Sequence, residues 1–161
     1  MSLEENYPTI MLDETDFRIL KMLQNRANLT TKDLAAKVNL STTPVFERVK
    51  KLEKAGYIKN YVAVLDAGKL NKGLMVFCNV TLKEHTREIG NQFVKDILSL
   101  KEVVECFNIS GDYDFFLKIL VRDMKEYQNF VLDKLGGIKN IGSAHSTFVM
   151  GEIKNSYAVP I

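Results

Sequence analysis

The fold of the first half of the chain is decided by the stretch TKDLAAKVNLSTTPVFERVKKLEKAGYI, residues 31–58. Apolar residues recur three or four positions apart on both sides of a break at Asn39-Leu40-Ser41, which predicts two amphipathic helices joined by a short turn. Asn39 tolerates the left-handed conformation that ends a helix, and Pro44 is accommodated in the first turn of the next helix. This pattern is typical of a helix-turn-helix, whose second helix enters the major groove of DNA.

The second helix of this pair carries its polar residues away from its apolar stripe. The residues predicted to face outward and contact DNA are Thr42, Thr43, Glu47, Arg48, Lys51 and Lys54. The threonines lie at the amino end, where a recognition helix meets base edges. Arg48 suits a phosphate or a guanine, and the two lysines suit phosphate. An ordinary helical hairpin with one solvated helix has the same spacing, so spacing alone leaves both interpretations open.

Positive charge is concentrated around this helix. The whole chain has a formal net charge of +2, too small to indicate a partner by itself. Residues 41–60, however, hold five basic residues against two acidic ones. A local excess of this kind is expected of a surface that meets phosphates, although a solvated helix face also explains it.

One more helix precedes the pair, and start signals mark both this helix and the first helix of the pair. Asp13 and Asp16 have the spacing of a helix cap and its third residue, and Thr30 and Asp33 repeat that spacing before the second helix. After the third helix the β-rich residues 57–65 predict a strand or a short hairpin. We therefore predict a DNA-binding domain over residues 12–65.

The second half of the chain has a different periodicity. Residues 66–73 are polar with two glycines and predict a linker, and residues 74–161 form the second predicted domain. The predicted strands cover 74–82, 103–109, 115–121 and 143–150, and the predicted helices cover 87–100 and 124–135. The order βαββαβ is that of a ferredoxin-like α+β fold.

The first strand of the second half is apolar on both of its faces. Alternate residues from Leu74 to Leu82 are apolar, and Met75 and Phe77 make the opposite face apolar as well. Helices on one side of a single sheet would leave this second face bare. We therefore expect it to pack on another subunit.

Several protein classes are excluded or disfavoured. No apolar run is long enough to span a membrane, and residues 1–10 lack the apolar segment of a secretory signal. Met1-Ser2-Leu3 has the character of an expression remnant, so residues 1–11 are left out of the fold prediction.

Cys78 and Cys106 lie in strand patterns, which favours a reducing, cytoplasmic compartment. Neither they nor the two histidines have the spacing of metal ligands, so no metal and no cofactor are predicted.

Four segments resemble the Lrp/AsnC family, the leucine-responsive or feast/famine regulators. They are LDETD at 12–16, LSTTPVFERVKKLEKAGYI at 40–58, SGDYDF at 110–115 and STFVMGEIK at 146–154. The resemblance covers residues 12 to about 158, and the motifs are long and in the family's order.

The resemblance implies a winged-type helix-turn-helix followed by a βαββαβ effector and oligomerisation domain, without catalysis. Its implied partners are double-stranded DNA and a small effector, usually an amino acid bound where dimers meet. It also implies homodimers packed sheet to sheet, often four to a ring-shaped octamer. The effector residues it implies are Gly111, Asp112, Tyr113 and Asp114, with Thr147, Phe148 and Val149 near the cleft where family members vary.

Elementary chemistry supports a ligand at the turn over residues 111–114. Gly111 lets backbone approach a ligand closely, and neighbouring amides can receive a carboxylate. Asp112 or Asp114 could pair with an α-ammonium group. A plain β-turn whose aspartates cap backbone groups has the same composition and remains open.

Two other functions fit the fold less well. A small ferredoxin-like monooxygenase would need an acid, base or nucleophile grouped in a cleft, and the sequence offers no such group. A ligand-sensing subunit without a DNA function would not need the outward basic helix. The chain is therefore predicted to be a DNA-binding transcription regulator, not an enzyme, that responds to a small effector, with an amino acid as the expected ligand.

Overall fold

A computed structural model describes residues 10–161 and divides the chain into two compact units. The first unit runs to Val64 and also contains Lys154–Ile161, and the second unit is Leu65–Ile153. The sequence analysis instead assigned the carboxyl-terminal residues to the second domain. Its domain boundaries stay a prediction.

Predictions about the amino terminus and about membrane segments concern different parts of the chain. The expectations about an expression remnant and a leader concern mainly residues 1–9, outside the described part of the chain. Within residues 10–161, no helix is long and apolar enough to cross a membrane.

The first unit contains the three predicted helices: α1 (Glu14–Asn25), α2 (Thr31–Val38) and α3 (Thr42–Lys54). Asp13 caps α1 and Thr30 caps α2, each in a capping box with the aspartate three residues on. Both predicted caps are confirmed. They satisfy amide groups that the first turn of a helix leaves without partners.

The turn between α2 and α3 has the predicted left-handed residue. Asn39 adopts φ 58° and ψ 43°, and its amide donates to the Ala35 carbonyl. The Leu40 amide donates to the same carbonyl at 3.1 Å. Helix α3 begins directly after Ser41, whose side chain makes no capping hydrogen bond. The turn thus holds α2 and α3 close enough to share one apolar core.

That core lies where the three helices face each other. Its buried members are Ile19, Leu23, Leu34, Ala35, Val38, Val45 and Leu52. They recur at helical spacing, so the amphipathic stripes seen in the sequence point inward as predicted.

The strand predicted over residues 57–65 is wrong, because this segment contains no strand. Its first amides turn back to helix α3: Tyr57 donates to the Leu52 carbonyl at 3.0 Å. Further along, the Asn60 side chain accepts from the Tyr61 amide at 2.8 Å. A strand needs a neighbour to complete its ladder, and β-rich composition cannot supply one.

The second unit is a four-stranded antiparallel sheet with helices on one face. Its elements are β1 (Leu74–Leu82), α4 (Arg87–Leu98), β2 (Val103–Asn108), β3 (Phe115–Val121), α5 (Met124–Asn129) and β4 (Ile141–Phe148). The strand order is β2-β3-β1-β4. The predicted βαββαβ order and ferredoxin-like α+β class are confirmed.

One face of this sheet forms the core of the unit. Val76, Cys78, Val80 and Leu82 of β1 alternate inward, as do the odd-numbered residues of β3 from Phe115 to Val121. They pack under Phe93 and Ile97 of α4 and under Tyr127 of α5. The strict alternation explains why β1 and β3 were predicted with their observed bounds.

The last predicted helix changes its winding along its length. It is an α-helix over Met124–Asn129, a π-helix over Phe130–Lys134 and a 3-10 turn over Leu135–Gly137. A Cβ at Gly136 would lie 2.9 Å from the Val131 carbonyl oxygen. Glycine is therefore needed where the wide turn tightens.

The left-handed conformation of Asn39 can be tested by substitution. We expect Asn39→Ala to lower the free energy of unfolding by about 1 kcal/mol, because a Cβ without a hydrogen-bonding group is strained at positive φ. Asn39→Gly serves as the control and should be close to wild type. Urea unfolding of the full chain measures both, and equal stabilities for the two variants would contradict this explanation.

Candidate DNA interface and effector turn

Helix α3 presents a polar face to solvent. Thr42, Thr43, Glu47, Lys51 and Lys54 are all exposed, as predicted. The last four recur three or four positions apart and so share one side of the helix. This side is opposite the buried residues Val45 and Leu52. The core therefore fixes the orientation of the helix, and the residues of the polar face stay free to contact a partner.

Lys50 belongs to the same exposed face, although the sequence-based set omitted it. Its side chain is 59% exposed, and its Nζ lies 2.7 Å from Glu53 Oε2 and 5.8 Å from the centre of the Phe46 ring. The lysine beside it holds the pKa of Glu53 below its ordinary value. Lys50 lies three residues from Glu47 and four from Lys54. This helical spacing is the signal in the sequence that would have added it to the predicted DNA contacts.

Arg48 does not face outward, and that prediction is wrong. Its guanidinium turns towards the start of α1, where Nη1 lies 2.6 Å from Asp13 Oδ2 and 2.7 Å from Asp16 Oδ1. The Asp16 side chain is only 3% exposed, and the Arg48 side chain is 31% exposed. A buried carboxylate needs a cation or several donors, which explains the inward turn.

This ion pair is continuous with the cap of α1. The Asp16 amide donates to Asp13 Oδ1 at 2.9 Å, and the Asp13 amide donates to Asp16 Oδ2 at 3.1 Å. The Asp16 amide, followed by the guanidinium, holds the pKa of Asp13 below its ordinary value. Arg48 therefore fixes α3 to the first turn of α1, which places the exposed face of α3.

A cavity of about 250 Å³ also lies in this unit. Leu29, Phe46, Val49 and Tyr61 are among the residues that line it, and the Tyr61 hydroxyl donates to Glu53 Oε1 at 3.0 Å. Burial, followed by this hydrogen bond, raises the pKa of Tyr61 to about 12. None of the predicted effector residues lines the cavity.

In the second unit, Asp114 holds the turn after β2 onto the end of β1. Its Oδ2 accepts from the Leu82 amide at 2.7 Å, and its own amide donates to the Val80 carbonyl at 2.9 Å. Its Oδ1 lies 3.2 Å from His85 Nε2. Both carboxylate oxygens thus have partners within the chain, as expected of an aspartate that caps backbone groups.

The other residues of the turn are open to solvent or reach over the sheet. Gly111 adopts φ 111° and is exposed, as is Asp112. Tyr113 packs edge-on against His145 of β4, with ring centres 5.5 Å apart. The turn therefore forms an open surface rather than an enclosed pocket. His85 and His145 lie beside it, which the sequence could not indicate because only tertiary structure brings them there.

The predicted cleft residues of the last strand do not share one face. Thr147 pairs in register with Phe77, and Phe148 pairs with the buried Val76. The Phe148 ring meets Tyr127 edge-on at 5.3 Å, on the helix side of the sheet. Thr147 lies on the opposite side, with His145, and Val149 follows the end of β4. The structure thus brings Tyr113 close to the Thr147 side of β4 and leaves Phe148 apart.

The cysteines and histidines show no arrangement of a catalytic or metal centre. Both cysteines are free thiols, and burial raises the pKa of each. Within residues 10–161, no three His, Cys, Asp or Glu side chains are grouped so that they could hold a metal ion.

A helix-turn-helix unit with an exposed basic helix, joined to a separate α+β unit, defines a DNA-binding transcription regulator with its own ligand-binding domain. Residues 12–59 match the winged helix-turn-helix DNA-binding family model, and residues 75–159 match the Lrp/AsnC ligand binding domain. The chain belongs to the Lrp/AsnC family of transcription regulators, which are not enzymes.

Full-length relatives support this assignment. The chain is 36% identical over 152 residues to the transcriptional regulator AzlB of Bacillus subtilis, covering 94% of this chain and 97% of the relative. It is 35% identical over 145 residues to the leucine-responsive regulatory protein of Escherichia coli, covering 90% and 88%.

A solved structure has the same fold throughout. The L-methionine complex of a transcriptional regulator from Neisseria meningitidis superimposes with a TM-score of 0.89 at 35% identity, covering 93% of this chain and 97% of that one. The similarity extends over both units, so the fold of each is shared with a regulator of known structure.

The Arg48 contacts predict a loss of stability when this side chain is removed. We expect Arg48→Ala to lower the free energy of unfolding by about 2 to 3 kcal/mol, because the buried Asp16 carboxylate loses its cation. Lys51→Ala, on the same helix but exposed, should change stability by less than about 0.5 kcal/mol. Urea unfolding separates the two, and an Arg48→Ala variant as stable as Lys51→Ala would contradict the assignment.

Proposed function

We propose that the chain binds double-stranded DNA through the exposed face of α3 and that an amino acid, bound at the turn over residues 111–114, changes its assembly and its DNA binding. The observation that carries the DNA-binding part is the row of exposed residues on a helix whose other side is fixed by the core and by Arg48.

The proposed DNA contacts divide by chemistry. Thr42, Thr43 and Glu47 lie in the amino-terminal part of α3, and we propose that they meet base edges. Lys51 and Lys54 lie in the last turn, where their charges suit phosphates. We assign Arg48 a positioning role, since its guanidinium is already bound to two carboxylates.

An amino acid is proposed as the effector on two grounds. The related Neisseria meningitidis regulator was determined in complex with L-methionine. In this chain, the turn combines the positive φ of Gly111 with the exposed carboxylate of Asp112. Amide groups of such a turn can receive the α-carboxylate, and Asp112 can accept from the α-ammonium.

Each remaining residue of the proposed effector site has a distinct part. Asp114 keeps the turn in place through the Leu82 amide, and Tyr113 forms a wall against His145. Thr147 and Val149 are proposed to help select the ligand from the sheet's open side and its end. Phe148 is proposed to act from the helix side, through its contact with Tyr127.

Oligomerisation is characteristic of the family. We propose that two copies pack through the face of the sheet away from the helices and that dimers assemble further to an octamer. The exposure of the turn favours an effector site completed where two dimers meet. Because its proposed target is DNA, we also propose a cytoplasmic location.

The DNA assignment predicts a salt-dependent effect at Lys51. We expect Lys51→Ala to weaken binding to specific and unrelated duplexes alike and to reduce the slope of log K against log salt by about one unit, because one phosphate contact is lost. Lys95→Ala, an exposed lysine on α4, is the matched control and should leave both quantities unchanged. Fluorescence anisotropy across a salt series measures them, and an unchanged slope for Lys51→Ala would remove this residue from the interface.

The effector assignment predicts different outcomes for the two aspartates of the turn. We expect Asp112→Asn to weaken amino-acid binding by roughly tenfold to a hundredfold, through loss of a charge-assisted hydrogen bond, while the fold stays intact. Asp114→Ala should instead lower thermal stability, since the Leu82 amide loses the carboxylate that accepts its hydrogen bond.

The twenty amino acids are screened first by thermal shift, and calorimetry on the variants follows. Asp133→Asn, a charge-matched change on an exposed residue elsewhere in the unit, is the control. An effector that bound the Asp112→Asn variant with wild-type affinity would show that this carboxylate is not part of the site.

A further inference from the structure

The sheet has a second face that its own helices do not cover. We call it the open face, and its largest apolar members are Met75, Phe77, Phe107, Phe116 and Leu120. The Phe116 ring lies 5.0 Å from the Phe77 ring and 6.4 Å from the Phe107 ring. The proposed dimer would bury this aromatic cluster, and the following inference rests on that proposal.

A charged pair interrupts the open face near its middle. Lys118 lies on the inner strand β3, between Phe77 of β1 and Glu105 of β2 in the strand register. Its Nζ is 2.9 Å from Glu105 Oε1. The Lys118 side chain is only 15% exposed, whereas that of Glu105 is 40% exposed. The Lys118 side chain is therefore largely withdrawn from water, whereas that of Glu105 is more open to it.

In a symmetric dimer, this charged pair affects how two copies of the chain can meet. When two copies meet through the same patch, each contributes the same residues, so a charge left unmatched on one copy is present twice in the interface. A lysine without a counter-charge would therefore place two like charges in an apolar layer, where unpaired charge is costly. Because Glu105 balances the charge of Lys118, the pair adds no net charge when two such patches meet.

We propose that the Lys118–Glu105 pair makes the open face selective for a second copy of this chain. The aromatic cluster supplies the area that drives association. The pair discriminates, because a face carrying an unmatched charge at these positions would be buried with that charge uncompensated. The partner that fits is a face with one cation and one anion at the same positions, which is what a second copy presents.

Charge reversal tests this in the full-length protein. Lys118→Glu leaves two acidic side chains on the patch, and Glu105→Lys leaves two basic ones. We expect each variant to dimerise at least about a hundredfold more weakly than wild type by sedimentation velocity. An equimolar mixture of the two should form a heterodimer, and the double variant E105K/K118E should self-associate like wild type.

Two further variants separate selectivity from affinity and from general charge effects. Glu105→Leu combined with Lys118→Met removes both charges, and we expect it to dimerise at least as tightly as wild type. Arg122→Glu reverses an exposed charge that follows β3, outside the sheet, and should not alter dimerisation. Circular dichroism on every variant confirms that the compared chains are folded, and the double variants keep the test decisive if a single reversal unfolds.

The outcomes distinguish this inference from the proposed dimer beneath it. If Phe77→Asp is monomeric but both single reversals dimerise like wild type, the open face is the interface and the pair carries no selectivity. If the reversals are monomeric and their mixture also stays monomeric, the pair acts within one chain and the inference is overturned. If Phe77→Asp itself dimerises like wild type, the proposed open-face dimer fails, and this inference fails with it.

Discussion

The architecture depends on a four-stranded sheet that is apolar on both faces. The helices α4 and α5 bury one face, and Val76, Cys78 and Val80 of β1 lie fully within that core. The other face carries the Phe77–Phe116 pair with no helix of its own over it. A sheet of this kind is incomplete as a monomer, because apolar area left in water is costly. This strand pattern is the physical basis of the proposed self-association, and the proposed effector turn lies at the edge of the same sheet.

The DNA-binding unit meets a different constraint, which is its small size. Three short helices bury few apolar side chains, so their relative placement needs support besides the core. The contact between Arg48 and Asp16 supplies it by joining the recognition helix to the cap of α1. A basic residue of the recognition helix thus stabilises the fold and does not face outward. As a result, the exposed residues on the other side of α3 are held in one orientation.

Local features of the fold could be predicted from the sequence because their causes are local. The capping boxes of Asp13 and Thr30 involve residues three positions apart, and the left-handed Asn39 follows from side-chain chemistry. Strands β1 and β3 were predicted with their observed ends, since alternation marks a half-buried strand. The exposed residues of α3 followed from helical spacing in the same way. The segment 57–65 was mispredicted because a strand depends on a partner, and composition does not reveal whether one is present.

The sequence by itself determined the class of this protein: a helix-turn-helix followed by a βαββαβ unit, with an exposed basic helix and a Gly-Asp-Tyr-Asp turn. Only the tertiary structure decided what individual charged side chains do. Arg48 turned out to be bound to Asp16, 32 positions away, and Asp114 to the Leu82 amide, also 32 positions away. Periodicity reports which side of an element a residue occupies. It cannot report which distant group needs that residue's charge, because that need arises only when folding removes the group from water.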